Sequence, residues 1–332
     1  MNYRFIFLIP LLYLAACESN SDNQTTAPKA VAIEVPVFNA DSAYHYVEMQ
    51  VAFGPRVPNT EPHVLCGNWL EEKLAGWADR VVTQENIVKA HDDLELKFKN
   101  IIASYNPKSK KRVLLCAHWD TRPYADQEPL SENRNTPIDG ANDGGSGVGV
   151  LLEIARQLKI SPVKMGVDII LFDVEDYGQP NFSTGPRKQD TYCLGSQYWG
   201  SNPHQPGYSA KYGILLDMVG APNSTFLQEE YSLKFAPSVV KKVWNTAAQS
   251  GYSDYFLYKK SKGPVLDDHY YINTLVGIPT IDIINLDNNN RNMFGHTWHT
   301  LDDNMDNIDT KTLKAVGQTL LEVLYRENAG AL

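Results

Sequence analysis

Apolar residues recur along this chain in two rhythms, one near 3.6 and one near 2, and the switches between them mark its elements. From Asp41 to Val51 the spacing predicts a helix, broken by the Gly- and Pro-containing run Phe53–Pro58. A second helix is predicted from His63 to about Ala75, with Val64, Leu65, Trp69, Leu70 and Leu74 on its apolar face. Asp79–Val88 and Leu94–Ser104 alternate as strands around the polar turn Lys89–Asp93, and Pro107–Arg112 reads as a solvated basic loop. Val113–Ala117 is a short apolar strand, followed at Ser146–Leu158 by a helix striped with Val148, Leu151, Leu152, Ala155 and Leu158. Val167–Phe172 is apolar except for Asp168, the signature of a central strand covered on both faces. Tyr177–Tyr192 is long and holds Gly and Pro, the composition of a site wall. Tyr212–Met218 is another strand, Ala236–Ser250 an amphipathic helix ending at Gly251, Thr280–Leu286 the last inner strand, and Asp309–Arg326 a closing helix. Strands alternating with helices predict an α/β fold, a three-layer α/β/α sandwich around a central mixed, mostly parallel sheet.

The first residues break this pattern. Arg4 precedes an apolar run, Phe5–Ala16, interrupted by Pro10 and Tyr13; it is too short for a membrane span and suits an export signal. Leu14-Ala15-Ala16-Cys17 resembles a bacterial lipoprotein box, which implies cleavage before Cys17 and a lipid on it; the plainer alternative is an ordinary signal peptide with Cys17 incidental. The expected organisation is therefore a signal at 1–16, a flexible polar tether at 17–36 and one catalytic domain at 37–332. The expected location is outside the cytoplasm, periplasmic or attached to the outer membrane of a Gram-negative bacterium, with a lipid anchor at Cys17 and no membrane-spanning helix. Net charge of −9 argues against nucleic acid as a partner, because phosphate backbones demand a basic face. Cys66, Cys116 and Cys193 remain once Cys17 is set aside, an odd number with no CxxC metal knuckle and no implied disulfide scaffold; which of them pair, if any, stays open.

In α/β sheets ligands bind beyond the carboxyl ends of strands. His118 and Asp120 follow the first inner strand, Asp143 precedes the helix, Glu175 and Asp176 follow the next strand, Asp217 ends another, and Asp267-Asp268-His269 and His299 come later. A lone His or Asp at a strand end is usually a cap or a core residue. A succession of them delivers the nitrogen and carboxylate ligands that zinc takes. The four glycines at 144, 145, 147 and 149 are led by Asp143 and are not followed by Lys-Ser/Thr, so a nucleotide loop is discounted.

Taken in order, His118-x-Asp120, Gly140-Ala-Asn-Asp-Gly-Gly-Ser-Gly147, Glu175-Asp176, Leu216-Asp-Met-Val-Gly220, Asp267-Asp-His269 and His299-Thr-x-x-Asp303 resemble the zinc aminopeptidase family, from about Tyr44 to Leu324. That family includes di-zinc aminopeptidases and zinc-dependent glutaminyl cyclases. The double Asp at 267–268 and Phe294-x-x-x-Trp298-His299 resemble the cyclase branch. The resemblance implies Asp143, Asp176 and His299 as ligands of one zinc ion, Glu175 as acid/base, Asp217 and Asp267 in its proton network, and Phe294 and Trp298 as substrate-binding walls. His118 and Asp120, with Asp217, match positions that hold a second metal in di-zinc relatives, so a second zinc stays open. His269 is expected to orient its neighbours. Two departures from the animal cyclases stand out: Asp176 replaces a glutamate, and the pocket tryptophan that follows the acidic pair is missing, a gap that Trp199 is proposed to fill. The implied partners are peptides or proteins with N-terminal glutamine. The alternatives are a di-zinc aminopeptidase and a non-enzymatic exported binding lipoprotein.

Overall fold

Period-two alternation decides which layer each strand residue joins. Along β3 (Arg112–His118), Val113, Leu115 and Ala117 point into one apolar layer, and Leu114 and Cys116 into the other. Along β4 (Gly166–Phe172), Val167, Ile169 and Leu171 share the first layer, and Ile170 and Phe172 the second. This computed structural model describes Met1 and residues 33–332, so the expected signal at 1–16, Cys17 and most of the tether lie outside the described residues. Residues 33–332 pack as one unit.

The described chain runs α1 (Ala40–Val51), α2 (Glu61–Trp77), β1 (Arg80–Lys89), β2 (Glu95–Tyr105), β3, α3 (Gly145–Ile160), β4, α4 (Leu194–Ser201), β5 (Gly213–Asp217), β6 (Phe226–Gln228), α5 (Glu230–Phe235), α6 (Pro237–Gln249), β7 (Phe256–Lys260), α7 (Asp268–Tyr271), β8 (Thr280–Ile284) and α8 (Thr310–Asn328). Side chains accept the free amides at five helix starts: Asn39 for α1, Thr60 for α2, Glu229 for α5, Asp267 for α7 and Asp309 for α8. The main sheet has the order β1-β2-β4-β3-β5-β8. Strands β4, β3, β5 and β8 are parallel, whereas β2 pairs antiparallel with both β1 and β4. One apolar layer is closed by α1, α2, α3, α6 and α8, the other by α4 and the turns around α7, which gives the expected α/β/α sandwich. Among the described residues no helix is long and apolar enough to cross a membrane.

The structure differs from the sequence reading in three places. The buried stripe of α2 is His63, Cys66, Gly67, Leu70 and Leu74, while Val64 and Leu65 are 54% and 47% exposed. His63 takes the inward position because its ring stacks on Trp119 and its Nε2 lies 2.9 Å from Asp173 Oδ1. Strand β8, expected to be inner, is the edge of the sheet; α5 and α7 lie against it and bury all five of its residues. Trp199, expected at the substrate wall, is a core residue of the second layer. It is fully buried beside Phe172 and Tyr208, with ring centroids 5.8 and 5.5 Å away, and its Nε1 donates to His204 Nδ1 at 3.1 Å. Asp168, the one polar residue in the β4 run, is balanced by Arg112 and the Tyr208 hydroxyl.

Because Trp199 fills the thinner of the two layers, Trp199→Ala is expected to lower the unfolding free energy by about 3–5 kcal/mol, read by urea denaturation. A loss below about 1 kcal/mol would contradict its placement in the core.

Candidate active site

Backbone turns at the carboxyl ends of the parallel strands place the functional side chains, and buried polar groups hold each turn. After β4 the chain reverses at Val174, whose φ of 55° is a costly conformation for a β-branched residue. The Asp120 carboxylate accepts from the Glu175 and Asp176 amides at 3.0 and 3.1 Å, and Asn100 Oδ1 accepts from the Asp173 amide at 3.0 Å. The α4 start closes over the same turn, Cys193 N donating to Glu175 O at 2.8 Å and Leu194 N to Val174 O at 2.9 Å. Gly195 is required there, since a Cβ would stand 2.1 Å from Asp173 O. Before α3, Asp303 accepts from the Asn142 and Asp143 amides at 2.7 and 3.0 Å, and Arg56 holds the carbonyls of Asp139 and Gly140. At Gly144, φ is +74° and a Cβ would meet His118 Cε1 at 2.8 Å. Those clamps aim Asp143 across the sheet.

Two groups of ligand atoms result, and they share Asp143. Asp143, Asp176 and His299 form one, with His299 Nε2 3.6 Å from Asp143 Oδ2 and 3.4 Å from Asp176 Oδ1. His118, Asp143 and Asp217 form the other, with His118 Nε2 3.1 Å from Asp143 Oδ1 and 3.3 Å from Asp217 Oδ1. Every member is buried. In the first group Asp176 Oδ2 is buried with no hydrogen-bond partner, as are oxygens of Asp267, Asp268 and Asp282, and what sets Asp176 apart is its place beside Asp143 and His299, where a cation would satisfy it. Asp126 Oδ1 lies 3.1 Å from His299 Nδ1, so Nδ1 carries the proton and leaves Nε2 free as a ligand. One imidazole nitrogen and two carboxylates fit zinc with a coordination position left over.

Arg122 ties this group together. Its Nε and Nη2 donate to the two oxygens of Asp126 at 3.0 and 2.8 Å, while Nη1 donates to Asp176 O at 3.0 Å and to Asp176 Oδ1 at 3.2 Å. Burial would raise the Asp126 carboxyl, but the bonds from His299 and Arg122 outweigh it and hold the carboxyl well below its usual range.

Glu175 sits beside both groups, within ligand reach of Cys193 and Asp267. Burial, and then the charges of Asp176, Asp267 and Asp268, push its carboxyl well above the usual range against the pull of His118. Burial chiefly, helped by Asp143 and Asp267, lifts Asp217 to about 7 despite its bond to His118. Over the His299 ring lies Trp298, centroids 3.9 Å apart and stacked, and Phe294 packs on Trp298 at 4.4 Å. Both aromatic side chains are half-buried. A cavity of about 900 Å³ between α2 and the β1–β2 hairpin is lined by none of these ligand residues, and the chemistry is located by side chains rather than by volume.

The family model for peptidase family M28 matches residues 100–324. The chain belongs to peptidase family M28. The structure is similar to a Zn-dependent exopeptidase from Parabacteroides distasonis, with a TM-score of 0.87 at 53% identity over 88% of this chain and 99% of that one. It is similar as well to the glutaminyl cyclase of Bacteroides thetaiotaomicron solved with N-acetylhistamine, with a TM-score of 0.86 at 55% identity over 88% and 99% of the two chains. Among curated proteins, the glutaminyl-peptide cyclotransferase of Gloydius blomhoffii is 26% identical over 281 residues, which span 76% of this chain and 70% of that one.

Within this M28 frame, Asp143, Asp176, His299, Glu175, Asp217, Asp267, His118, Phe294 and Trp298 converge on one end of the sheet. Asp120 stands apart from the ligand groups. Its oxygens are taken by the two amides, and its nearest approach to His118 is 3.6 Å at Nδ1, so its second-metal assignment gives way to a clamping one and Asp217 takes the third place beside His118 and Asp143. His269 has its Nε2 3.1 Å from Glu229 Oε2, and with Asp267 and Asp282 it forms a further buried group of ligand atoms. Sequence reading missed Arg122 and Asp126, left Cys193 without a role, and met Asp303 only as the last residue of the His299 motif, not as the clamp on the Asn142 and Asp143 amides. The first two belong to the 121–139 loop, whose polar composition is open to a rim element or to exposed irregular chain, and whose start is buried. The family resemblance to zinc enzymes makes the metal the natural readout: Arg122→Met and Asp126→Asn are each expected to weaken zinc affinity by about 10–100-fold in a chelator-competition titration. Unchanged affinity in both would mean that the Arg122–Asp126–His299 chain does not support the metal.

Proposed function

We propose that this M28 chain is a zinc-dependent glutaminyl-peptide cyclotransferase, closing the N-terminal glutamine of peptides to pyroglutamate with release of ammonia. The observation that carries the reading is the stack of Trp298 on His299 with Phe294 behind it, an aromatic clamp beside a ligand group and next to a buried glutamate. Cyclisation needs such a clamp, because the α-amine must be folded back onto the side chain of its own residue and water kept from competing. The solved cyclase of Bacteroides thetaiotaomicron, at 55% identity, supports the same reading.

In this scheme Asp143, Asp176 and His299 hold one zinc ion, which when bound polarises the γ-carboxamide as a Lewis acid. Glu175 accepts a proton from the α-amine as nitrogen attacks the carboxamide carbon, then returns it to the departing nitrogen; the new C–N bond closes the lactam and the old one breaks to give ammonia. A carboxyl held above its usual range by burial suits both halves of that transfer. Asp217 and Asp267 lie in the surrounding acidic network and help retain the proton near Glu175. Phe294 and Trp298 restrain the glutamine. A single metal is favoured because Asp126 fixes the His299 ring, whereas His118 Nδ1 has no hydrogen-bond partner.

The His118–Asp143–Asp217 group favours a second reading, a di-zinc aminopeptidase with Glu175 as the base that activates water. Mass spectrometry separates the two. A Gln-leading peptide is expected to lose about 17 Da with the metal-replete protein, while a Leu-leading peptide stays intact. Glu175→Gln should slow cyclisation by about 10²–10⁴-fold without loss of zinc. Release of the first residue from the Leu peptide, with no cyclisation, would establish the peptidase reading instead.

We propose further that the protein is exported and held at a membrane surface by lipid on Cys17, as its lipoprotein-box resemblance implies. Cys17→Ala is expected to move the protein from the membrane fraction to the soluble one in fractionated cells. Retention of the variant in the membrane fraction would rule the anchor out.

A further inference from the structure

Cys193 takes no part in the scheme above, yet it touches the residue on which that scheme turns. Its Sγ lies 3.0 Å from Glu175 Oε1, close for a thiol donor, and among the described residues no other side chain donates to that carboxylate. The contact is built, not incidental. Cys193 precedes α4 with φ of 57°, a left-handed conformation rarely adopted by a residue with a Cβ, and it faces Val174 at 55° across the turn. Two backbone bonds join the strained pair, Cys193 N to Glu175 O and Leu194 N to Val174 O. A residue in the position before a helix usually turns a polar side chain onto the free amides. Here no such cap forms, and the thiol points to the carboxylate instead. Gln197 N at 3.0 Å and Ser196 Oγ at 3.1 Å hold the Cys193 carbonyl, so the main chain on both sides of the thiol is fixed.

We infer that Cys193 is a positioning residue for Glu175: its S–H donates to Oε1 and locks one carboxylate rotamer, leaving the other oxygen to face the substrate amine. This role rests on the acid/base reading of Glu175. A free glutamate side chain has three rotatable bonds, and a misplacement near 1 Å is costly for proton transfer. Burial pushes the thiol well above its ordinary range, so it stays protonated and keeps the hydrogen that the contact needs. Serine keeps a donor at the same place, alanine keeps only the backbone.

The test compares Cys193→Ala and Cys193→Ser with wild type in the full-length, zinc-loaded protein, using a Gln-leading peptide. Expected is a kcat lower by about tenfold in the alanine variant with KM within about twofold, and recovery of most of that loss in the serine variant. Wild-type kcat in the alanine variant, or a serine variant no better than alanine, would overturn the inference. A second measurement does not depend on what Glu175 does in the reaction. The Raman S–H stretching band assigned to Cys193, by its disappearance in Cys193→Ala, should shift when Glu175→Gln replaces the carboxyl acceptor by an amide. A band indifferent to that substitution would sink the contact itself. If the band shifts while Glu175→Gln remains fully active, the acid/base reading fails and the thiol–carboxylate bond stands.

Discussion

The burial of carboxylates at one end of the sheet is the constraint on which the rest of this structure depends. Asp143, Glu175, Asp176, Asp217 and Asp267 are each no more than 9% exposed, and they crowd against two imidazoles and one guanidinium. Buried charge of one sign is tolerated only when neutralised by protons, by hydrogen bonds or by a cation. The molecule divides those roles by position. Asp126 is satisfied by Arg122, Asp120 and Asp303 by backbone amides, while oxygens of Asp176, Asp267, Asp268 and Asp282 stay unpartnered, and of these the Asp176 oxygen belongs to the carboxylate grouped with Asp143 and His299 as a metal site. Glu175 and Asp217 are left to hold protons. Metal site and proton store are two outcomes of one excess of negative charge.

That division needs backbone that does not move. Each carboxylate clamp acts on peptide groups rather than on side chains: Asp120 fixes the amides of Glu175 and Asp176, and Asp303 those of Asn142 and Asp143. A ligand on a clamped turn is held near its bonding geometry before metal arrives, which is the preorganisation such sites require. Strain at Val174 and Cys193 is tolerated because the turn is bonded from several directions at once, by Asn100 and Asp120 as well as by its own backbone pairs. The sheet supplies the rigidity behind it, since β3 and β4 are buried along their whole length.

What the sequence made legible follows from the same physics. The inner strands announced themselves because both faces of each are buried, which leaves a near-continuous apolar run, and the ligand residues stood out as polar deposits where those runs stop. The segment from Phe226 to Tyr271 was mostly opaque: β6, α5 and α7 are too short for either rhythm to register, and β7 is largely exposed and lacks the apolar run of a buried strand. The α2 stripe was misread because His63 and Cys66 are the buried positions while Val64 and Leu65 are not, a preference set by Trp119 and Asp173, which are remote in sequence. Trp199 failed for a related reason. Its large apolar ring suits a pocket wall and a core equally, and only the three-dimensional neighbours Phe172 and Tyr208 decide between them. Supporting residues such as Arg122 and Asp126 were the least visible, because nothing in their local spacing distinguishes a residue that holds a ligand from one that meets solvent.

One scaffold in this family can thus present a zinc ligand group, a buried glutamate and a second candidate group without deciding by itself which reaction follows. Peptide hydrolysis must admit a water and activate it; lactam closure must exclude that water and substitute an amine from the same residue. Under the proposed reading Trp298 and Phe294 act on that difference: Trp298 stacks on His299, Phe294 packs on Trp298, and the pair sets apolar surface where a hydrolytic water would have to be held. On this argument specificity lies less in the metal ligands than in the apolar cover beside them, and the charged end of the sheet is the same for both chemistries.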